Sequence, residues 1–309
     1  MKRLIGLALA VAALSSPVAA LAQTSAYWRH EEGTNGALIP AGPDTVLDAS
    51  GSGNHMQTFD PTFTSATYTS SVSPVPLRSG LSNTRALDFG PGGDEDRFRG
   101  GLDDDNFTDG KPIQTQVFTA MTVEVAFSMG SVGPGQYQAV FGKDGKPTDG
   151  PAPPFKVLIR GDDFPDAVPH QIFVEWFDGD GDIHFLASGQ SVTPGNWNHL
   201  AFTLSPTTAA LWLAGETGSY SMLDSKTDDF AGLAGEVMIN TAGTYTMGRG
   251  MFGGGITDWS DAFIDEVRVS SSVLASDQFL FNAVPEPASL TLLAAAAVCC
   301  AAKRRRAPR

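Results

Sequence analysis

Short runs of alternating apolar and polar residues recur along most of this chain, separated by clusters of Gly, Pro, Asn and Asp. No other feature constrains the fold as tightly. Alternation with period two makes one face of a strand apolar, and several such runs at short spacing predict an all-β sandwich. FTAMTVEVAF, Phe118 to Phe127, alternates around Val123, Val125 and Phe127. Gln138 to Phe141 is closed by the turn Gly142-Lys143-Asp144-Gly145, and FKVLI, Phe155 to Ile159, follows a Pro-rich loop. Ile172 to Phe177 and Ile183 to Ala187 flank Asp178-Gly179-Asp180-Gly181-Asp182, which reads as a hairpin turn. Trp197 to Leu204 and Ala209 to Leu213 form a second hairpin across Ser205-Pro206-Thr207-Thr208, and Tyr245 to Gly248 and Phe263 to Val269 complete the set. One short helix is expected over Ser272 to Phe281. The Ser-, Thr- and Pro-rich stretch from Asp60 to Ser82 is expected as a long surface excursion. Neither a repeat nor a linker divides residues 23–284, so they read as one domain.

The two ends differ from this body. Lys2 and Arg3 precede an apolar run from Leu4 to Leu14, and Ala20-Leu21-Ala22 offers an A-x-A cleavage site. Residues 1–22 are therefore a secretory signal peptide, cut after Ala22, and the chain meets the Sec export machinery and signal peptidase. At the other end Pro285, Glu286 and Pro287 precede an uncharged run at 288–302 and a basic tail at 303–309. As a helix the apolar run would be ~22 Å long, short of the ~30 Å hydrocarbon core. It is rich in alanine, so it forms a weak span, and the basic cluster keeps the extreme C-terminus inside.

The whole chain carries a net charge of −14. Lys2 and Arg3 belong to the signal peptide. The tail holds Lys303, Arg304, Arg305, Arg306 and Arg309 against Glu286, which leaves residues 23–284 at −20. Such a surface repels nucleic acid and anionic lipid and attracts divalent cations. The only cysteines, Cys299 and Cys300, are adjacent and lie in the tail, so no disulfide framework holds the body.

The tail, with its Pro-Glu-Pro, short apolar span and terminal arginines, resembles the PEP-CTERM sorting signal. That resemblance implies export by a Gram-negative bacterium and a transient inner-membrane tail. It also implies an exosortase that cuts near the Pro-Glu-Pro, leaving the protein at the cell surface or in the extracellular matrix.

The body resembles the laminin G-like jelly roll of the concanavalin A superfamily. Tyr27 to Gly33 resembles its opening strand, Asp48-Ala49-Ser50-Gly51-Ser52-Gly53-Asn54-His55 its D-x-S-G-x-G-N-H turn, and Arg85 to Phe89 the strand that follows. Phe118 to Phe127, Trp197 to Phe202 and Leu211 to Gly215 resemble three further strands. Phe263-Ile264-Asp265-Glu266-Val267-Arg268-Val269, with Leu274 to Gln278, resembles the closing D-E-V-R element. The resemblance implies two antiparallel sheets packed face to face, with Trp197, Phe202, Trp212 and Phe263 as core residues. The acidic loop from Asp94 to Gly110 departs from the family pattern.

The chemistry-bearing residues point away from catalysis. The chain has no G-x-S-x-G, no H-E-x-x-H and no Walker A loop. Glycosidases need two carboxylates about 5–9 Å apart. Glu124 stands alone on its strand, Glu175 has no carboxylate at 171 or 173, and the adjacent Asp265 and Glu266 are expected on opposite faces. Asp178 to Asp182 resembles the start of an EF-hand but places Ile183 and Gly189 where that loop needs Gly and Glu. In laminin G-like relatives the Gly-rich turn and the D-E-V-R strand often lie together. The resemblance therefore makes Asp48, Asn54 and Asp265 candidate ligands for a structural calcium ion. Against this, Asp48 and Asn54 can simply build their turn by hydrogen bonds to the backbone.

Two function classes follow. One is a non-catalytic adhesion module for extracellular polysaccharide or a surface protein, and the other is a structural matrix component. A glycan hydrolase comes third. An aromatic platform exposed on one sheet would favour glycan binding, and a featureless charged surface would favour the structural class.

Overall fold

The computed structural model describes residues 24–281 apart from 59–63, 91–98, 101, 104–109, 131, 133–135, 146–152, 162–167, 233 and 242. The signal peptide with Ala22, most of the acidic loop at 94–110, and the tail with Pro285, Glu286, Pro287 and the 288–302 run lie outside the described residues. Among the described residues no helix is long and apolar enough to cross a membrane.

The N-terminal third supplies short strands: β1 (Thr24–Trp28), β2 (Gln57–Thr58), β3 (Thr64–Ser65), β4 (Thr67–Thr69), β5 (Ala86–Asp88), β6 (Arg99–Gly100) and β7 (Leu102–Asp103). The middle supplies the long ones: β8 (Met121–Ser128), β9 (Tyr137–Lys143), β10 (Phe155–Arg160), β11 (Gln171–Phe177), β12 (Ile183–Ser191), β13 (Asn198–Leu204), β14 (Thr208–Ala214) and β15 (Ser221–Thr227). β16 (Tyr245–Met247), β17 (Gly250–Phe252), β18 (Gly255–Thr257) and β19 (Phe263–Ser270) close the chain. An eight-stranded sheet runs β15-β14-β13-β8-β19-β5-β4, with β1 also paired to β19. A seven-stranded sheet runs β12-β11-β10-β9-β16-β7-β2. The molecule is thus the expected all-β sandwich, and both predicted hairpins, β11–β12 and β13–β14, are antiparallel pairs.

Alternation explains the core. Val123, Val125 and Phe127 of β8 and Leu200, Phe202 and Leu204 of β13 face Phe155, Val157 and Ile159 of β10 and Ile172, Val174 and Trp176 of β11. Phe202 meets Phe155 at 5.6 Å and Trp176 at 5.2 Å between ring centroids, which ties the two sheets together. Burying one such side chain fully contributes about 1.5–3 kcal/mol.

Several expectations need correction. Ser272 to Phe281 is not a helix, since only Ser276–Gln278 forms a 3-10 turn. A backbone donor that a helix would consume is bonded elsewhere: Leu280 N–H donates to Glu124 Oε1 at 2.6 Å. Within the stretch from Asp60 to Ser82, of which 60–63 lie outside the described residues, the part from 71 to 77 is not a free excursion. Ser73, Val75 and Leu77 are buried, and Val75 and Leu77 pack with Tyr27, Ala86, Trp197, Leu280 and Phe281 on the outer side of the eight-stranded sheet. Trp197 and Phe263 belong to that outer cluster and Trp212 to a neighbouring one; of the four aromatics expected in the core, Phe202 alone lies between the sheets. Asp265 and Glu266 do not point to opposite faces. The register shifts between Ile264 and Val267, so both of these face the core and the two carboxylates between them form a bulge.

Candidate functional site

The outer faces of the two sheets differ in kind. The chain covers the outer face of the eight-stranded sheet with its own segments around Ser73–Leu77 and Leu274–Phe281. Under this cover Arg268 Nε donates to Glu124 Oε2 at 2.6 Å, and burial pushes Glu124 up against the opposing charge of Arg268. Arg29 pairs with Glu266 at 3.1 Å. Burial, reinforced by the charge of Asp265, pushes Glu266 up to about 8, with Arg29 opposing. Ser73 Oγ lies 2.6 Å from His199 Nε2, but Asp265 accepts from the Ser73 backbone N–H and not from the imidazole, so the three do not form a proton relay. Burial lowers His199 to about 4 and keeps it neutral.

The sequence-predicted metal ligands separate into two places. Asp48 Oδ1 accepts from Tyr27 N–H at 2.9 Å and Ser50 N–H at 2.8 Å, and Oδ2 accepts from Ser50 Oγ and Asn54 N–H at 2.9 Å each. Asn54 Oδ1 accepts from Ile113 N–H at 2.9 Å, and its Nδ2 donates to Ser25 O at 2.8 Å. Asp265 Oδ2 accepts from Ser73 N–H at 3.1 Å and Asn83 Nδ2 at 2.7 Å. Asp48 bridges to Trp28, and Trp28 pairs with Val267, so the turn stands two strand spacings, about 10 Å, from the closing strand. The three residues share no cradle, and their oxygens already accept protein donors, which does not fit a calcium ion held jointly by them. Among the described residues no group of three His, Cys, Asp or Glu side chains could hold a metal ion. Asp178 likewise builds its own hairpin, accepting from Asp180 N–H at 3.0 Å, Asp182 N–H at 2.9 Å and His184 Nε2 at 2.7 Å.

Among the described residues, the outer face of the seven-stranded sheet is partly open. With Phe155, Val157 and Ile159 turned inward, Lys156, Leu158 and Arg160 of β10 face outward, and Phe173 and Glu175 of β11 lie beside them in register. Phe185 of β12, 59% exposed, stacks on Phe173 at 5.2 Å. The β17–β18 hairpin overhangs this row. Gly253 and Gly254 take φ of 59° and 79°, the left-handed pair that a two-residue hairpin turn requires. Its base is fixed by Arg249, fully buried between Asp103 and Asp144, and by Ala139 N–H donating to Asp258 O at 2.8 Å. Phe252, 68% exposed, is thereby held 5.7 Å from the Lys156 ammonium.

Together Tyr137, Lys156, Leu158, Phe173, Glu175, Phe252, Thr257 and Asp258 line a cleft of about 310 Å³. Lys156 Nζ pairs with Glu175 Oε1 at 3.0 Å, and the Arg160 guanidinium lies 5.2 Å over the Phe173 ring. Burial raises the Tyr137 hydroxyl, with the charge of Arg160 opposing and that of Asp258 adding. Ring faces around a few convergent polar groups are the chemistry with which a cleft can pack against a small amphipathic ligand.

A family model described as the concanavalin A-like lectin/glucanases superfamily matches residues 100–278. The chain belongs to this superfamily. In this laminin G-like chain the matched span carries every residue of the cleft. No curated protein matches it. Among solved structures it is similar to domain 4 of an extracellular GH43 arabinanase from Geobacillus stearothermophilus in complex with arabinotriose. The identity is 13%, over 83% of this chain and 96% of that one, at a TM-score of 0.49. It is also similar to the Ruminococcus gnavus IT-sialidase CBM40, at 15% identity over 54% and 82%, with a TM-score of 0.42. A Trypanosoma rangeli sialidase in complex with sialic acid matches at 12% identity over 83% of this chain and 32% of that one, with a TM-score of 0.49. These likenesses are distant, and the functional reading rests on this chain's own residues.

Sequence reasoning assigned no site role to any residue of the cleft. The available signal was the second apolar phase of β11: Phe173 and Phe177 alternate with Ile172, Val174 and Trp176, one phase more than a half-buried strand needs.

Proposed function

We propose that this domain is a non-catalytic glycan-binding module. The observation that carries the reading is the aromatic platform on the open sheet, Phe173 stacked on Phe185 with Phe252 standing over the cleft. Ring faces pack against the C–H faces of sugars, and the polar groups of Tyr137, Glu175 and Asp258 meet their hydroxyls. The carboxylates sequence reasoning weighed for catalysis are engaged otherwise: Glu124 with Arg268 under cover, and Glu175 with Lys156 in the cleft. A polysaccharide-array screen of the purified protein tests the reading. Binding that is lost in Phe252→Ala supports it, and no binding to any glycan removes it.

The ends of the sequence support export, display and sorting of this module. The signal peptide carries it through the Sec machinery, and the Pro285-Glu286-Pro287 tail delivers it to an exosortase. Mass spectrometry of the exported protein is expected to find a C-terminus near Val284. Peptides covering Arg304 to Arg309 in the extracellular fraction would remove the sorting reading.

A further inference from the structure

The charges of the cleft select among glycans. An anionic sugar needs an accessible cation to offset the desolvation of its carboxylate or sulfate. Lys156 does not offer one. Its side chain is 7% exposed, its ammonium is held by Glu175 at 3.0 Å, and the Phe252 ring stands 5.7 Å away. A ligand carboxylate approaching Lys156 would also approach Glu175, and Asp258 adds a second negative wall. Arg160 lies along the Phe173 ring beside the cleft, where its guanidinium is engaged by the Tyr137 hydroxyl. Among the described residues the lining itself carries one cation, Lys156, against two carboxylates, Glu175 and Asp258. The surrounding body, at −20, repels a polyanion before contact. Glu175 and Asp258 are hydrogen-bond acceptors suited to sugar hydroxyls, and their negative charge disfavours a ligand of the same sign. We infer that the cleft takes a neutral polysaccharide and rejects uronate and sulfated chains, with the Lys156–Glu175 pair as the determinant of that choice. The inference rests on the glycan reading and deepens it. At about 310 Å³ the cleft is at the small end of ligand pockets, so it holds a short segment of a longer chain.

The test compares neutral polysaccharides (glucan, xylan, arabinan and galactan) with polygalacturonate, alginate and a sulfated glycan at about 0.15 M salt, where surface fields are screened beyond ~8 Å. Wild-type protein is expected to bind a neutral chain at least about tenfold more tightly than any anionic one. Glu175→Gln keeps the shape of the side chain and frees the Lys156 ammonium, so it should shrink that gap by about tenfold, through a gain on the anionic glycans. Wild-type binding to anionic chains as tight as to neutral ones overturns the inference alone. An unchanged gap in a Glu175→Gln protein with wild-type melting removes Lys156–Glu175 as the determinant. Binding to neither set removes the glycan reading and this inference with it.

Discussion

The two sheets of this sandwich are built from the same alternating pattern, yet one outer face is sealed and the other is open. On the eight-stranded sheet the central outward positions include Glu124, Arg268, Glu266 and Tyr27, buried beneath the chain's own segments at Ser73–Leu77 and Leu274–Phe281. On the seven-stranded sheet the outward positions include Phe173, Glu175 and Phe185, and among the described residues the short β17–β18 hairpin is what overhangs them. Outward polar residues on the first sheet form a structural network, whereas outward aromatics on the second have room for a ligand. What stands above a strand, more than the residues on it, decides whether its outer face is left accessible.

If this contrast is right, the largest effect on stability comes from breaking the sealed face. Glu124→Ala strands the Arg268 guanidinium and the Leu280 N–H, and urea unfolding is expected to register a loss of about 3–5 kcal/mol. A loss below about 1 kcal/mol would mean that the cover opens to water and that the two faces are not distinct.

Next comes the Asp48 turn, which also serves structure. Asp48→Ala removes the acceptor for the buried Tyr27 and Asn54 N–H groups and should lower stability by about 2–3 kcal/mol. Because Asp48, Asn54 and Asp265 share no cradle, chelator and millimolar calcium should leave the melting temperature of the wild-type protein unchanged. A rise of several degrees with calcium that Asp48→Ala abolishes would restore the metal reading.

A smaller effect is the pH dependence of the sealed face. Burial raises Asp265 to about 6 and Glu266 to about 8, so the folded state holds these protons more tightly than the unfolded chain does. The stability they contribute is full below the unfolded carboxylate range, about pH 4, and is lost as pH rises through about 8. Melting temperature should therefore fall by a few degrees between pH 5 and 9, and Glu266→Gln should flatten the fall. An identical slope in that variant would assign the effect to other groups.

Smallest of all should be the effect on stability of altering the open face. Phe252 is mostly exposed at a hairpin tip, so Phe252→Ala should change unfolding free energy by no more than about 0.5 kcal/mol. A larger loss would make Phe252 part of the fold and weaken the contrast.

Much of the framework was legible in the sequence. β8, β10 to β14 and β19 all fall on alternating runs, because a half-buried strand must alternate. β15 was not, because Ser221–Thr227 is a largely exposed edge strand with no apolar face to reveal it. The β17–β18 hairpin was hidden because three consecutive glycines between Phe252 and Ile256 carry no pattern. The strap over the sealed face was masked by its Ser- and Pro-rich composition, although Val75 and Leu77 supply its buried side chains. The bulge at Asp265–Glu266 inverts the period-two rule that placed those carboxylates on opposite faces. Beyond the second apolar phase of β11, the cleft was not legible, since it depends on β10, β11 and a hairpin distant in sequence converging on one side.

The central claim, that the open face binds glycan and the sealed face does not, is tested most directly by titrating a polysaccharide that binds the wild-type protein into three variants. Phe252→Ala and Phe185→Ala alter the open face, and Leu81→Ser alters an exposed apolar side chain next to the strap on the sealed side. The two open-face variants should each lose about tenfold or more in affinity at unchanged melting temperature, while Leu81→Ser binds as the wild type does. Wild-type affinity in both phenylalanine variants, or a loss confined to Leu81→Ser, would contradict the account.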